Sequence, residues 1–162
     1  MGQKVNPKVI RLKINRTWDS IWYADKKNYS KNVIEDIKLR EELQKRFKEA
    51  GISRISIGRN AGKMTVTIAT SRPGVVIGRQ GEQADKLRNE LKTRYGNVEI
   101  NIQEVKKPDV DAALIGDSIA RQIEKRVAFR RAAKMAIQKA MKAGAKGVKV
   151  FMAGRSEERR VG

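Results

Sequence analysis

The chain has no cysteine and no histidine, only three prolines, and eight aromatic residues among its 162 (two Trp, three Tyr, three Phe). Without thiol or imidazole it builds no Cys/His zinc site, no Ser-His-Asp triad, no cysteine nucleophile and no disulfide framework. No Walker pattern is present, so there is no phosphate loop for ATP chemistry. Neither an enzyme nor a cofactor is expected. No apolar run approaches the roughly 20 residues needed to cross a bilayer, and the start lacks the apolar stretch of a secretory signal. A cytoplasmic location without a membrane partner follows. Acids are scarce too: 18 Asp+Glu stand against 37 Lys+Arg, a formal net charge of +19. A compact chain with that excess repels itself unless an anionic partner neutralises it, and nucleic acid leads the candidates.

What is there divides into segments. Residues 1–16 read as a basic arm carrying Lys4, Lys8, Arg11, Lys13 and Arg16 and no acid. Trp18, Trp22, Tyr23 and Tyr29 follow, and are expected to clamp the arm onto a core. Val33, Ile37, Leu39, Leu43, Phe47 and Ala50 share one side of a helical wheel, which predicts a helix over 28–50, stopped by Gly51. Strands are predicted at 53–58 and 63–70, joined by Arg59-Asn60-Ala61-Gly62 as a hairpin turn. A short apolar turn, Val75 to Ile77, precedes Gly78-Arg79-Gln80-Gly81. Ala84, Leu87, Leu91 and Tyr95 then lay one stripe on a sheet, and Val98, Ile100 and Ile102 alternate as a third strand.

The order helix, strand, strand, short helix, Gly-x-x-Gly, helix, strand matches a KH domain. Glycines without Cβ let backbone N–H groups approach phosphates at a helix N-terminus, where the dipole favours anions. Gly78, Arg79, Gln80 and Gly81 are the expected RNA-binding loop.

After Lys106-Lys107-Pro108 the composition turns to Ala, Arg and Lys. Helical sequence is predicted from 111 to 143 with a break near 127–128, then a strand over 148–153. Asp109, Asp111 and Asp117 suggest helix capping over a magnesium site, so no metal is expected. From Arg121 to Lys149 there are ten cations and a single acid, Glu124. Phe129, Ala132, Ala136 and Ala140 are read as the buried stripe, which leaves Arg130 and Lys134 on an adjacent, phosphate-tracking face.

Met1-Gly2-Gln3-Lys4-Val5-Asn6-Pro7, Trp18-Asp19-Ser20-Ile21-Trp22-Tyr23-Ala24, Arg72-Pro73-Gly74-Val75-Val76-Ile77-Gly78 and Val127-Ala128-Phe129-Arg130-Arg131-Ala132 resemble the bacterial-type small-subunit ribosomal protein S three family. The resemblance implies an α+β protein: a type-two KH domain (a three-stranded sheet with helices on one face) followed by an α+β C-terminal domain. It implies small-subunit ribosomal RNA as main partner, with messenger RNA and the neighbouring head proteins S ten and S fourteen. It gives Arg130, Arg131 and Lys134 a role at the messenger entry channel, ATP-independent, and the arm a role on ribosomal RNA. A free-standing KH RNA chaperone is the alternative; it leaves the arm and the Arg-rich second domain unexplained. The expected domains are 1–16 arm, 17–107 KH, 108–154 incomplete C-terminal domain, and 155–162. That last octapeptide reads back as AGA-TCG-GAA-GAG-CGT-CGT-GTA-GGG, which resembles a sequencing-library adapter, and is expected to be a non-native tail.

Overall fold

The computed structural model describes residues 2–60 and 62–154; the expected tail lies outside the described residues. The chain divides into two compact units, Met1–Lys106 and Lys107–Gly162.

The first unit begins with α1 (Pro7–Ile10), a single turn in which Pro7 presets φ and the Asn6 side chain accepts from the Lys8 N–H at 2.9 Å. Then come β1 (Ser20–Ile21), α2 (Lys26–Arg46), a 3-10 turn (Lys48–Ala50), β2 (Ile52–Asn60), β3 (Lys63–Thr70), α3 (Pro73–Ile77), a 3-10 turn (Arg79–Gly81), α4 (Glu82–Tyr95) and β4 (Asn97–Glu104). β2 and β3 run antiparallel with Ile57 opposite Val66; β3 and β4 run parallel with Met64 opposite Val98. The parallel pairing requires a crossover, which α3 and α4 supply.

Several expectations need correction. The sheet has four strands in the order β1-β2-β3-β4, one more than expected, because Ser20 and Ile21 add in parallel to β2 opposite Ile57 and Gly58. Two residues are too short to show an alternating pattern. The helix predicted over 28–50 starts at Lys26 and stops at Arg46: Phe47, at φ −108° and ψ 35°, leaves helical geometry before the 3-10 turn. Arg59 and Asn60 belong to β2, opposite Met64 and Lys63, so the hairpin turn is tighter than a four-residue loop.

The core lies between the helices and one face of the sheet. Leu39 and Leu43 of α2 and Leu87 and Leu91 of α4 bury against Ile57, Val66, Ile68 and Val98. Each such side chain contributes about 1.5–3 kcal/mol by leaving water. The other face of β3 carries the partly exposed Thr65, Thr67 and Ala69, so the helices cover one side only. Ile37, assigned to the inward stripe of α2, is instead exposed.

The second unit has a 3-10 turn (Pro108–Val110), α5 (Ala112–Glu124) and α6 (Phe129–Lys142). The helical run breaks over 125–128, at the place the sequence suggested. Ile119, Ala132 and Ala136 form its small core, with Ile115, Val127 and Val150 packed against them. Two expectations fail here. Phe129 is 45% exposed and does not join the alanine stripe. Residues 148–153 form no strand: Val150 packs inward, but Phe151 is 81% exposed, and no neighbouring strand among the described residues takes up their backbone groups.

Candidate nucleic-acid interface

The Gly-x-x-Gly loop is a tight turn between α3 and α4. Gly78 sits at φ 77°, ψ −177°, and a Cβ there would lie 2.7 Å from Cγ of Gln83, so both backbone and packing demand glycine. Gly81, at φ 87°, opens α4, and Arg79 and Gln80 are exposed. The electrostatics are mixed, however. Glu82 and Asp85 stand in the first turn of α4, where their carboxylates already complement the dipole that a phosphate would use.

In the arm, Lys4, Lys8, Arg11, Lys13 and Arg16 are all exposed and, among the described residues, none has an acidic partner. Arg11 folds back to donate to the Pro7 carbonyl at 3.1 Å, and the Lys13 N–H donates to the Arg16 carbonyl at 3.0 Å. Val9, Ile10 and Ile14 are exposed beside them.

The arm's root is held by a cluster that the sequence did not reveal. Asp36 of α2 is 1% exposed. Its Oδ2 accepts from Ser20 Oγ and Trp22 Nε1, both at 2.8 Å, and its Oδ1 accepts from Arg59 Nη2 at 2.7 Å. Arg40 donates to Ser20 Oγ at 2.6 Å, and the Arg59 guanidinium lies 5.9 Å from the Trp22 ring centroid. Trp22 also packs on Tyr29, with ring centroids 5.5 Å apart. Two of the four clustered aromatics thus clamp the segment. Trp18 and Tyr23 do not, and Tyr23 is 89% exposed. The missed signal was Asp36 itself, an acid three residues before Leu39 on the buried side of α2.

In the second unit, α5 begins well: Asp111 accepts from the N–H groups of Ala113 at 2.9 Å and Leu114 at 3.2 Å, while Asp117 pairs with Arg121 one turn on. Asp111 caps as the helix-start reading expected; Asp117 does not, because it stands in the sixth position of α5, where its carboxylate meets Arg121 instead of free N–H groups. α6 begins badly. Its N-cap is Ala128, with no side-chain hydrogen bond, and its first turn holds no acid. Instead Arg130 and Arg131 stand there, exposed, where the dipole repels cations. Arg130 lies 5.6 Å from the centroid of the exposed Phe129 ring. Lys134 is exposed one turn along. Among the described residues none of these three has an ionic partner.

Between the helices, Arg126 holds φ 62°. For a residue with a Cβ this left-handed geometry costs roughly 1–2 kcal/mol. An exposed cation at a helix C-terminus recovers about 0.3–1 kcal/mol, and Lys125 at the C-cap already stands there.

Family comparisons accord with this arrangement. The model for the KH domain matches residues 38–110, and that for the ribosomal protein S3 C-terminal domain matches 119–161. Over 156 residues, 96% of this chain, it is 51% identical to small ribosomal subunit protein uS3 of Desulforamulus reducens, covering 71% of that protein. It is 52% identical over the same span to uS3 of Marinobacter nauticus, covering 69% of it, and 54% identical to uS3 of Parvibaculum lavamentivorans, covering 66%. With two family models matched in order along a fold of the KH topology, and half of the residues shared across nearly the whole chain, the chain belongs to the uS3 family of small ribosomal subunit proteins.

Proposed function

We propose that the chain is a structural, RNA-binding constituent of the small ribosomal subunit, with α6 turned toward messenger RNA. Ribosomal RNA is met by the arm cations Lys4, Lys8, Arg11, Lys13 and Arg16 and, more lightly, by the loop Gly78-Arg79-Gln80-Gly81. The light engagement of that loop follows from Glu82 and Asp85, which compete with phosphate for the N-terminus of α4. Neighbouring head proteins, S ten and S fourteen by the family resemblance, complete its surroundings.

The observation that carries the reading is the start of α6. Uncapped N–H groups, no acid in the first turn, and two exposed arginines make an N-terminus that an anion would satisfy three times over. Phosphates of a passing strand fit, with Lys134 continuing the track. Without a nucleotide-binding loop these cations have no energy source. They favour opened strands by holding phosphates apart, while the moving ribosome supplies the work.

Changing Arg130, Arg131 and Lys134 to Ala tests this in reconstituted ribosomes. Assembly and translation of unstructured messages should be preserved, and elongation through a stable hairpin at the entry side should slow. An unchanged ratio of the two rates overturns the messenger role, and failure to assemble reassigns the three residues to ribosomal RNA.

A further inference from the structure

We propose that Arg126 is a further RNA-binding residue, holding a backbone phosphate at the turn between α5 and α6. The inference rests on the reading of α6 as a phosphate-tracking helix and extends it backward past the start of that helix.

The turn after α5 is a Schellman closure. The Val127 N–H donates to the Gln122 carbonyl at 3.0 Å and the Arg126 N–H to the Ile123 carbonyl at 2.8 Å, with Arg126 at the left-handed position between them. The same closure ends α6: the Ala145 N–H donates to the Ala140 carbonyl and the Gly144 N–H to the Met141 carbonyl, both at 3.1 Å, with Gly144 at φ 93°. One helical hairpin therefore contains the motif twice. Glycine, the residue that fits it without strain, fills it once, and arginine fills it the other time.

Nothing inside the fold rewards that choice. Arg126 is exposed, and among the described residues its guanidinium has no hydrogen bond, ion pair or ring contact. The dipole of α5 is already met by Lys125. The other two non-glycine residues at positive φ, among the described residues, are Lys13 in the arm and Gln80 in the Gly-x-x-Gly loop. All three such positions thus carry long polar side chains in the three segments read as facing RNA. Strain concentrated in this way is expected at ligand sites. A guanidinium is the group suited to bidentate contact with a phosphodiester.

The test measures unfolding and RNA binding together, on the full chain, with a single-stranded RNA oligomer and a transcript of the small-subunit ribosomal RNA. Arg126→Gly should raise the unfolding midpoint while weakening RNA binding and lowering the slope of log K against log salt by about 0.7–0.9. Arg126→Ala should weaken binding to the same degree without the gain in stability. The Arg130, Arg131, Lys134 triple alanine variant is run alongside. If its slope falls and that of Arg126→Gly does not, the inference is overturned alone. If neither slope moves, the reading of α6 falls with it. An Arg126→Gly chain that binds RNA like the parent but fails to join the subunit makes Arg126 a protein contact, which also overturns the inference.

Discussion

α5 and α6 are neighbours in one hairpin, of 13 and 14 residues, and they treat charge in opposite ways. α5 is capped by Asp111, carries an internal Asp117–Arg121 pair and ends on a lysine. α6 has no capping side chain and opens on Arg130 and Arg131. From Lys125 to Lys149 the chain has no acid at all. A missing cap costs about 1 kcal/mol, and cations at the wrong end of the dipole about 0.3–1 kcal/mol each. α6 therefore begins at a local disadvantage, and its alanine face packed on Ile119 holds it in place. The first unit sharpens the contrast. Outside the arm, several of its arginines are engaged by acids: Arg46 by Glu90, Arg54 by Asp19, Arg59 by Glu35 and Asp36, Arg94 by Glu42. Where charges are paired they hold the protein together. Where they break the local rules of the helix that carries them, no acid among the described residues pairs with them.

Breaking the paired side should have the largest effect. Asp36→Ala leaves Arg59 facing Trp22 with one carboxylate fewer and unties Ser20 and Trp22, so the first unit should lose about 3–5 kcal/mol. Denaturant unfolding followed by tryptophan fluorescence reports on this unit, since Trp18 and Trp22 both lie in it. A loss below about 1 kcal/mol would show that the buried cluster is not what moors the arm.

Next, the two helix starts can be exchanged. Ala128→Asp gives α6 the cap and acid it lacks and should stabilise it by about 1 kcal/mol while weakening RNA binding. Asp111→Ala should cost α5 about 1 kcal/mol and leave RNA binding unchanged. Thermal melts by circular dichroism and RNA titrations on both variants check the pair. If stability and binding fell together in both, the two helices would not differ in role.

The smallest effect belongs to exposed pairs of the first unit. The Glu90 carboxyl is held below its ordinary range, chiefly by its hydrogen bond from Arg46, and Glu99 likewise by Lys63. A carboxylate whose folded pKa lies below its unfolded one adds stability above the ordinary carboxylate range, and that contribution is lost as pH falls through the folded value. Arg46→Met should raise the Glu90 titration toward its ordinary range, with Arg94 still holding it down in part, in a carbon-detected NMR experiment while Glu99 stays depressed; a Glu90 titration that does not move would refute the pairing.

The KH order was legible because each element is long enough to carry its own period: Met64, Val66 and Ile68 alternate, and Leu87 and Leu91 fall one turn apart. The cationic character of α6 needed only counting. What escaped was set by distant parts of the chain. Ser20–Ile21 becomes a strand only because β2 offers an edge, and Asp36 is tolerated inside because Arg59 arrives from that strand and Ser20 and Trp22 donate from the segment before α2. Phe129 looked like the first member of the alanine stripe by spacing, but it opens α6 and its ring stays half exposed, beyond the small core that covers Ala132 and Ala136. Residues 148–153 have strand composition, and composition alone supplies no hydrogen-bond partner. Arg126 is one of ten cations by sequence, and only its backbone angle sets it apart.

The Asp36 cluster also fixes an order in time. A chain emerges from its N-terminus, so the arm, β1 and α2 are synthesised before Arg59 exists, and Ser20 waits for Ile57 before it can pair. Until β2 emerges, α2 carries an acid whose cationic partner has not been made, and closing a loop of that sequence separation carries an entropy cost that local contacts do not. Through that interval the five cations of the arm are tethered to a domain whose mooring cluster is incomplete.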